Sequence, residues 1–270
     1  MKQHSPPLPA RLLTLGSPVL AITLVVAPLP VRLGVLLAQN IPTMSYPCPI
    51  SQSDTVGLIL VTATNMNTPI ASVQLFQRET EHAPWHAVNA SEPAVLGHSG
   101  MAWGADFHGI ALRGEPLKTE GDMRSPGGIY RVGRSFGFAA SSRPAYLQLL
   151  PRKTVCVDDP SSPAYNTITT RAAIGSDVHT EDMSGNLYRR GLVIDYPTDA
   201  AAKSGSCIFI HVWRAAERGS SGCVGLPEPR VASLQDFSAR PTAVAILPHG
   251  AMGRFADCLP EIARGTVSGD

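Results

Sequence analysis

Ser206-Cys207-Ile208-Phe209-Ile210-His211-Val212-Trp213 leads, after a short gap, into Gly219-Ser220-Ser221-Gly222-Cys223-Val224-Gly225. The first run is short, apolar and rich in β-branched and aromatic residues, which is the pattern of a buried strand. Cys223 follows His211 by twelve residues. That spacing lets the histidine stand at a strand end while the chain loops back to present the cysteine beside it. The pairing has a chemical logic, because a thiol is only partly ionised near neutral pH and a catalytic cysteine needs an imidazole to take its proton. Gly222 permits a tight turn, after which the Gly222 and Cys223 amides can face a developing oxyanion. The plain alternative is structural: a cysteine of an exported chain is by default half of a disulfide, and a histidine in an apolar strand is a packed core residue.

Strand and turn alternate on either side of this segment. Val56 to Ala63 is a mostly apolar run, Val73 and Leu75 alternate with Ser72 and Gln74, and Ala243 to Leu247 reads as a late buried strand. Pro229 can open a helix in which Val231, Leu234 and Phe237 lie at helical spacing, so the pattern predicts a helix over Glu228 to Phe237. With 24 glycines and 24 prolines in 270 residues, the chain favours a loop-rich, mainly β domain with a sizeable core over a helical one. His82 and His86 stand four apart, but Pro84 between them spoils a helix and no glutamate occupies the metalloprotease position, so no metal site is expected. Asp158-Asp159 before Pro160 reads as a turn more readily than as an acid/base pair.

Residues 1–40 are of a different kind. Lys2 and Arg11 precede an apolar region from Leu12 to Ala38 that Pro18, Pro28, Pro30 and Arg32 interrupt. This reads as a secretory signal cleaved near Ala38, with an uncleaved membrane anchor as the alternative. Either way residues 41–270 form one exported domain facing the periplasm or cell wall. Lys2, Arg11 and Arg32 account for three of the 22 basic residues, which leaves 19 basic against 21 acidic side chains in residues 41–270. A balance of −2 gives no reason to expect nucleic acid as a partner. A monomer is expected.

Three blocks together resemble one family. The His211-to-Cys223 segment is similar to the active-site signature of the L,D-transpeptidase (YkuD-type) catalytic domains, a His followed by a Ser/Thr-x-Gly-Cys loop. Trp103-Gly104 and Lys118-Thr119-Glu120-Gly121-Asp122-Met123-Arg124-Ser125-Pro126-Gly127-Gly128-Ile129-Tyr130 resemble that family's EGD-x-(R/K)-(T/S)-P hairpin. Cys156-Val157-Asp158-Asp159-Pro160 with Tyr165-Asn166 is similar to a segment of one subgroup. The resemblance covers roughly residues 57 to 250 and implies a β-sandwich with mixed sheets and one or two short helices.

It also implies roles. Cys223 would be the nucleophile, His211 its general base, Gly222 with Cys223 the oxyanion donors, and Ser220 the loop's Ser/Thr. Trp103, Gly104, Ser221 and Trp213 would line the substrate groove, with core packing the alternative for both tryptophans. The substrate class is the peptidoglycan stem peptide, cleaved between its L and D centres through a thioester without a cofactor. An amine acceptor gives a 3→3 cross-link; water gives an L,D-carboxypeptidase. A wall-protein amidase on the same site and a non-catalytic wall-binding domain are the other readings. Ser221 and Gly225 depart from the family loop, which commonly carries histidine and arginine there. Val178-His179-Thr180-Glu181-Asp182-Met183 keeps only part of a subgroup pattern, and Pro197 replaces its later asparagine.

The chain has five cysteines. With Cys223 set aside, Cys48, Cys156, Cys207 and Cys258 allow three connectivities. Cys156 with Cys207 is the expected bond because both fall within blocks of the resemblance. Cys207 is expected on the same strand and the same side as His211.

Overall fold

The computed structural model describes Cys48 and residues 54–261; the signal or anchor expected over residues 1–40 lies outside them. The described strands are β1 (Gly57–Ala63), β2 (Ile70–Gln77), β3 (His86–Ala87), β4 (Glu92–Val95), β5 (Met101–Trp103), β6 (Ser125–Gly137), β7 (Leu147–Gln148), β8 (Thr154–Val157), β9 (Ile168–Thr170), β10 (Thr180–Asp182), β11 (Arg190–Asp195), β12 (Phe209–Val212), β13 (Val224–Leu226) and β14 (Thr242–Pro248). Helices are few and short: α1 (Arg171–Ile174), α2 (Glu228–Phe237) and three 3-10 turns. The protein is therefore mainly β. Among the described residues no helix is long and apolar enough to cross a membrane.

The main sheet mixes parallel and antiparallel pairs and closes on itself. Pairings run β1–β14–β6–β11–β12–β13–β4–β2, and β2 pairs again with β1. Closure removes the open edges that a sandwich would have to protect. β1 and β14 are parallel neighbours, buried along nearly their whole length. Strands covered on both faces tolerate unbroken apolar runs, and both runs here are of that kind. The ring is thinnest between β4 and β13, which share one register pair, Val95 with Gly225. β8, β9 and β10 form a separate three-stranded sheet.

α2 forms over the residues its spacing predicts and packs on β11 and β12. Pro229 near its start sets φ without wasting a helical donor, and Val231, Leu234 and Phe237 are buried. Its fourth buried residue is polar: Gln235 Nε2 donates to the carbonyls of Phe136 (2.8 Å) and Gly191 (3.0 Å), fastening the helix to β6 and β11.

Two apolar clusters divide the interior. The larger fills the ring. The smaller gathers Phe136, Leu149, Cys156, Met183, Tyr188, Cys207, Phe209 and Cys223, so the candidate nucleophile sits on top of a dry core. Two disulfides brace these regions. Cys48–Cys258 ties the segment before β1 to the C-terminal turn, and Cys156–Cys207 ties β8 to the chain entering β12. Such bonds are compatible with an exported protein.

Candidate active site

β12 and β13 lie parallel, with Ile210 opposite Val224 and His211 opposite Gly225. This register returns Cys223, immediately before β13, to the level of Phe209, two residues from His211 on the same pleat face. Gly225 contributes no side chain there, and a Cβ on it would come within 2.7 Å of Val95 Cγ2 and 3.1 Å of Trp213 Cβ. The place where the family loop commonly carries arginine is thus filled by Val95 and Trp213. Cys207 stands before β12 with φ of 55°, so the alternation expected to carry it onto the histidine's strand does not extend that far.

His211 is buried, and its Nδ1 lies 2.9 Å from the carbonyl oxygen of Val212. A carbonyl only accepts, so Nδ1 carries the proton and Nε2 is left as the basic nitrogen. Burial lowers the imidazole pKa from 6.5 to about 4; the Val212 bond opposes that fall and nearby Arg214 adds to it. His211 is therefore a neutral imidazole of fixed tautomer at pH values well above 4.

Cys223 is free and buried. Its Sγ accepts from the Phe209 N–H at 3.3 Å and donates to the Cys207 carbonyl at 3.4 Å. Burial pushes the thiol pKa well up, the negative charge of Glu181 raises it further, and the Phe209 N–H counteracts both. At rest the sulfur is a thiol held by backbone groups, and His211 is not among its hydrogen-bond partners.

The loop is braced by residues from all three sequence blocks. Ser220 Oγ donates to the Cys223 carbonyl at 2.6 Å and accepts from the Gly222 N–H at 3.0 Å. The Gly222 amide, expected as an oxyanion donor, is thus engaged within its own turn. Gly222 has φ of 154°, a region that favours glycine. Ser125 accepts from the Gly97 N–H and donates to the Cys223 carbonyl, so the hairpin block clamps the Cys223 backbone. Asp122 accepts from Lys118 Nζ at 2.6 Å and from the Thr119 and Arg124 amides. Asn166 Oδ1 accepts from the Cys207 N–H at 2.9 Å.

Two cavities meet at Cys223. One, of about 350 Å³, is lined by His211, Trp213, Arg214, Tyr188 and Ser220 among others. The second, of about 310 Å³, is lined by Lys118, Glu120, His179, Ser206 and Gly222. Met123, Glu181, Ser221 and Cys223 belong to both. Of the residues expected along a substrate groove, Ser221 lines both cavities and Trp213 the first. The first cavity also includes Val95 and Gly225 and so opens at the ring's thinnest seam.

Trp103 and Gly104 do not line either cavity, which corrects their expected substrate role. Trp103 is fully buried, donates from Nε1 to Glu115 at 2.7 Å and packs on Phe255. Gly104 is buried, and a Cβ there would sit 2.1 Å from Tyr130 Oη. Gly104→Ala is expected to destabilise the fold by about 1–3 kcal/mol through overpacking. Denaturant unfolding checks this, and substrate affinity of the folded fraction should not change.

Tyr188 and Arg214 escaped the sequence reading, and Glu181 entered it only as part of an incomplete pattern. Tyr188 meets the His211 ring edge-on at 5.6 Å between centroids, and its hydroxyl donates to Glu181. No periodicity marks either residue; only the fold brings them to the histidine. Comparison of the chain with family models, curated proteins and solved structures finds no match.

Proposed function

We propose that the protein is a cysteine-dependent acyltransferase of the cell wall, an L,D-transpeptidase that forms 3→3 links between peptidoglycan stem peptides, with the corresponding fold. The observation that carries this is a buried free thiol at the meeting point of two cavities, beside an imidazole whose basic nitrogen is fixed by its Val212 bond. The three-block resemblance supplies the substrate class.

Cys223 passes its proton to His211 Nε2 as the sulfur attacks the L-centred carbonyl. The C–N bond breaks, His211 returns the proton to the leaving D-alanine nitrogen, and a thioester remains. A thioester reached from two sides can hold the acyl chain on one and receive an acceptor on the other. Arg214 and Arg218, at the mouth of the first cavity, have no carboxylate partner among the described residues and suit a peptide carboxylate. Glu181 and Tyr188 line the same cavity as His211 and Cys223.

The test is mass spectrometry of products after incubating the purified protein with disaccharide-tetrapeptides, beside Cys223→Ala. Dimers lacking a terminal D-alanine, absent with the variant, are expected. Tripeptide monomers alone would make the protein a carboxypeptidase, and unchanged substrate would favour a wall-protein amidase or a binding domain.

A further inference from the structure

We propose that Glu181 is the proton acceptor of the second half-reaction, taking the proton from the nucleophile that resolves the Cys223 thioester. This rests on the acyltransferase reading above. While an acyl chain occupies the first cavity, an incoming amine or water must come through the second. His211 lines only the first, whereas Glu181 lines both and shares each with Cys223.

The other charged side chains of the second cavity are engaged. Lys118 Nζ is bound by Asp122. Glu120 accepts from Tyr165 and from Ser206 Oγ. His179 Nδ1 is paired with Asp158 at 2.6 Å. Glu181 has the Tyr188 hydroxyl, whose ring rests on His211, so the two proton-handling groups share one support. Its backbone is held as well: β10 sets Glu181 opposite Cys156, which is bonded to Cys207, whose carbonyl accepts the Cys223 thiol proton.

The proton inventory closes without an outside reagent. The nucleophile's nitrogen or oxygen attacks the thioester carbonyl and its proton passes to the Glu181 carboxylate. The C–S bond breaks, and Glu181 returns the proton to the departing thiolate. Burial raises the Glu181 pKa from 4.5 to about 7; the Tyr188 hydroxyl opposes the shift, and the charges of Asp158 and Glu120 reinforce it. A base titrating near neutrality is well matched to this task. Its carboxylate form grows as pH rises through about 7. Lys118, His179 and Cys223 are the remaining charged or titratable groups facing it across the second cavity.

The experiment is rapid-quench intact-mass analysis of the purified protein mixed with disaccharide-tetrapeptide at several pH values. Glu181→Gln is expected still to form the Cys223 acyl-enzyme but to resolve it about 100-fold more slowly, so that the adduct accumulates. Wild-type resolution should rise through pH 7, and the variant should lose that limb. Tyr188→Phe keeps the ring, removes the donor that holds the Glu181 pKa down, and should move the limb to higher pH, which a purely structural role for Glu181 would not do. Wild-type resolution kinetics in Glu181→Gln, an unshifted limb in Tyr188→Phe, or loss of acylation itself in Glu181→Gln overturns the assignment. Absence of any Cys223 adduct in the wild type removes the acyltransferase reading, and this inference with it.

Discussion

Replacing His211 by alanine is expected to lower turnover by about 1,000-fold or more with the fold intact, on the scale seen when one member of a catalytic dyad is removed. The size follows from the resting state of Cys223. Burial and the Glu181 charge both hold the sulfur as a thiol, so little thiolate exists before substrate arrives. The proton must leave during attack, and His211, whose Nδ1–H is committed to Val212 and whose Nε2 is left basic, lines the same cavity as the sulfur. The pH dependence separates this from simple packing loss. With its pKa pushed down to about 4 by burial, His211 remains an active base well below pH 6.5, so the acid limb of acylation should fall near pH 4. The same depression makes the unfolded chain bind more protons than the folded one between those values, so the His211 contribution to stability is lost as pH falls through that window. Pre-steady-state acylation of both forms between pH 3.5 and 8 measures the effect. Near-wild-type acylation in His211→Ala would falsify the base assignment.

Much of this arrangement could be read from the sequence because it is local. β1, β14 and α2 declare themselves through apolar runs and helical spacing, and the His211–Cys223 loop spans only twelve residues. The two residues misread were misread for a physical reason. A tryptophan next to a glycine looks alike whether it lines a groove or packs, and only the third dimension puts Tyr130 Oη against Gly104. Ring closure depends on the β1–β2 and β4–β13 pairings, the second a single register pair that no hydrophobic pattern could announce. Glu181 and Tyr188 reach the site from a separate small sheet and the turn after it. Ser125 and Asn166 belong to recognisable blocks, but their task of holding the Cys223 and Cys207 backbones emerges only from their hydrogen bonds.

The second large effect concerns the bond that joins that small sheet to the site. Removing it with the double substitution Cys156→Ala and Cys207→Ala opens a loop with a sequence separation of 51. Loss of the crosslink should cost about 2–4 kcal/mol, chiefly by freeing the unfolded chain. A domain of this size would then melt lower by roughly 5–15 °C. The consequence for activity should exceed what unfolding explains. Cys207 supplies the carbonyl that holds the Cys223 thiol, and Cys156 faces Glu181 across β8 and β10. Without the bond, the sheet carrying Glu181 keeps its pairing but loses its covalent tether to β12, and turnover of folded protein should fall by about tenfold or more, as active-site geometry is sensitive to displacements near 1 Å. Cys48→Ala with Cys258→Ala provides the control. That bond closes a longer stretch, with a separation of 210, but neither cysteine lines the cavities at Cys223. Its loss should lower the melting temperature while leaving turnover per folded molecule unchanged. Thermal denaturation paired with turnover well below both transitions distinguishes the two. Equal retention of turnover in both variants would reduce Cys156–Cys207 to a stabilising crosslink, whereas a selective loss in the first would make it part of the machinery that aims Glu181 at the thioester.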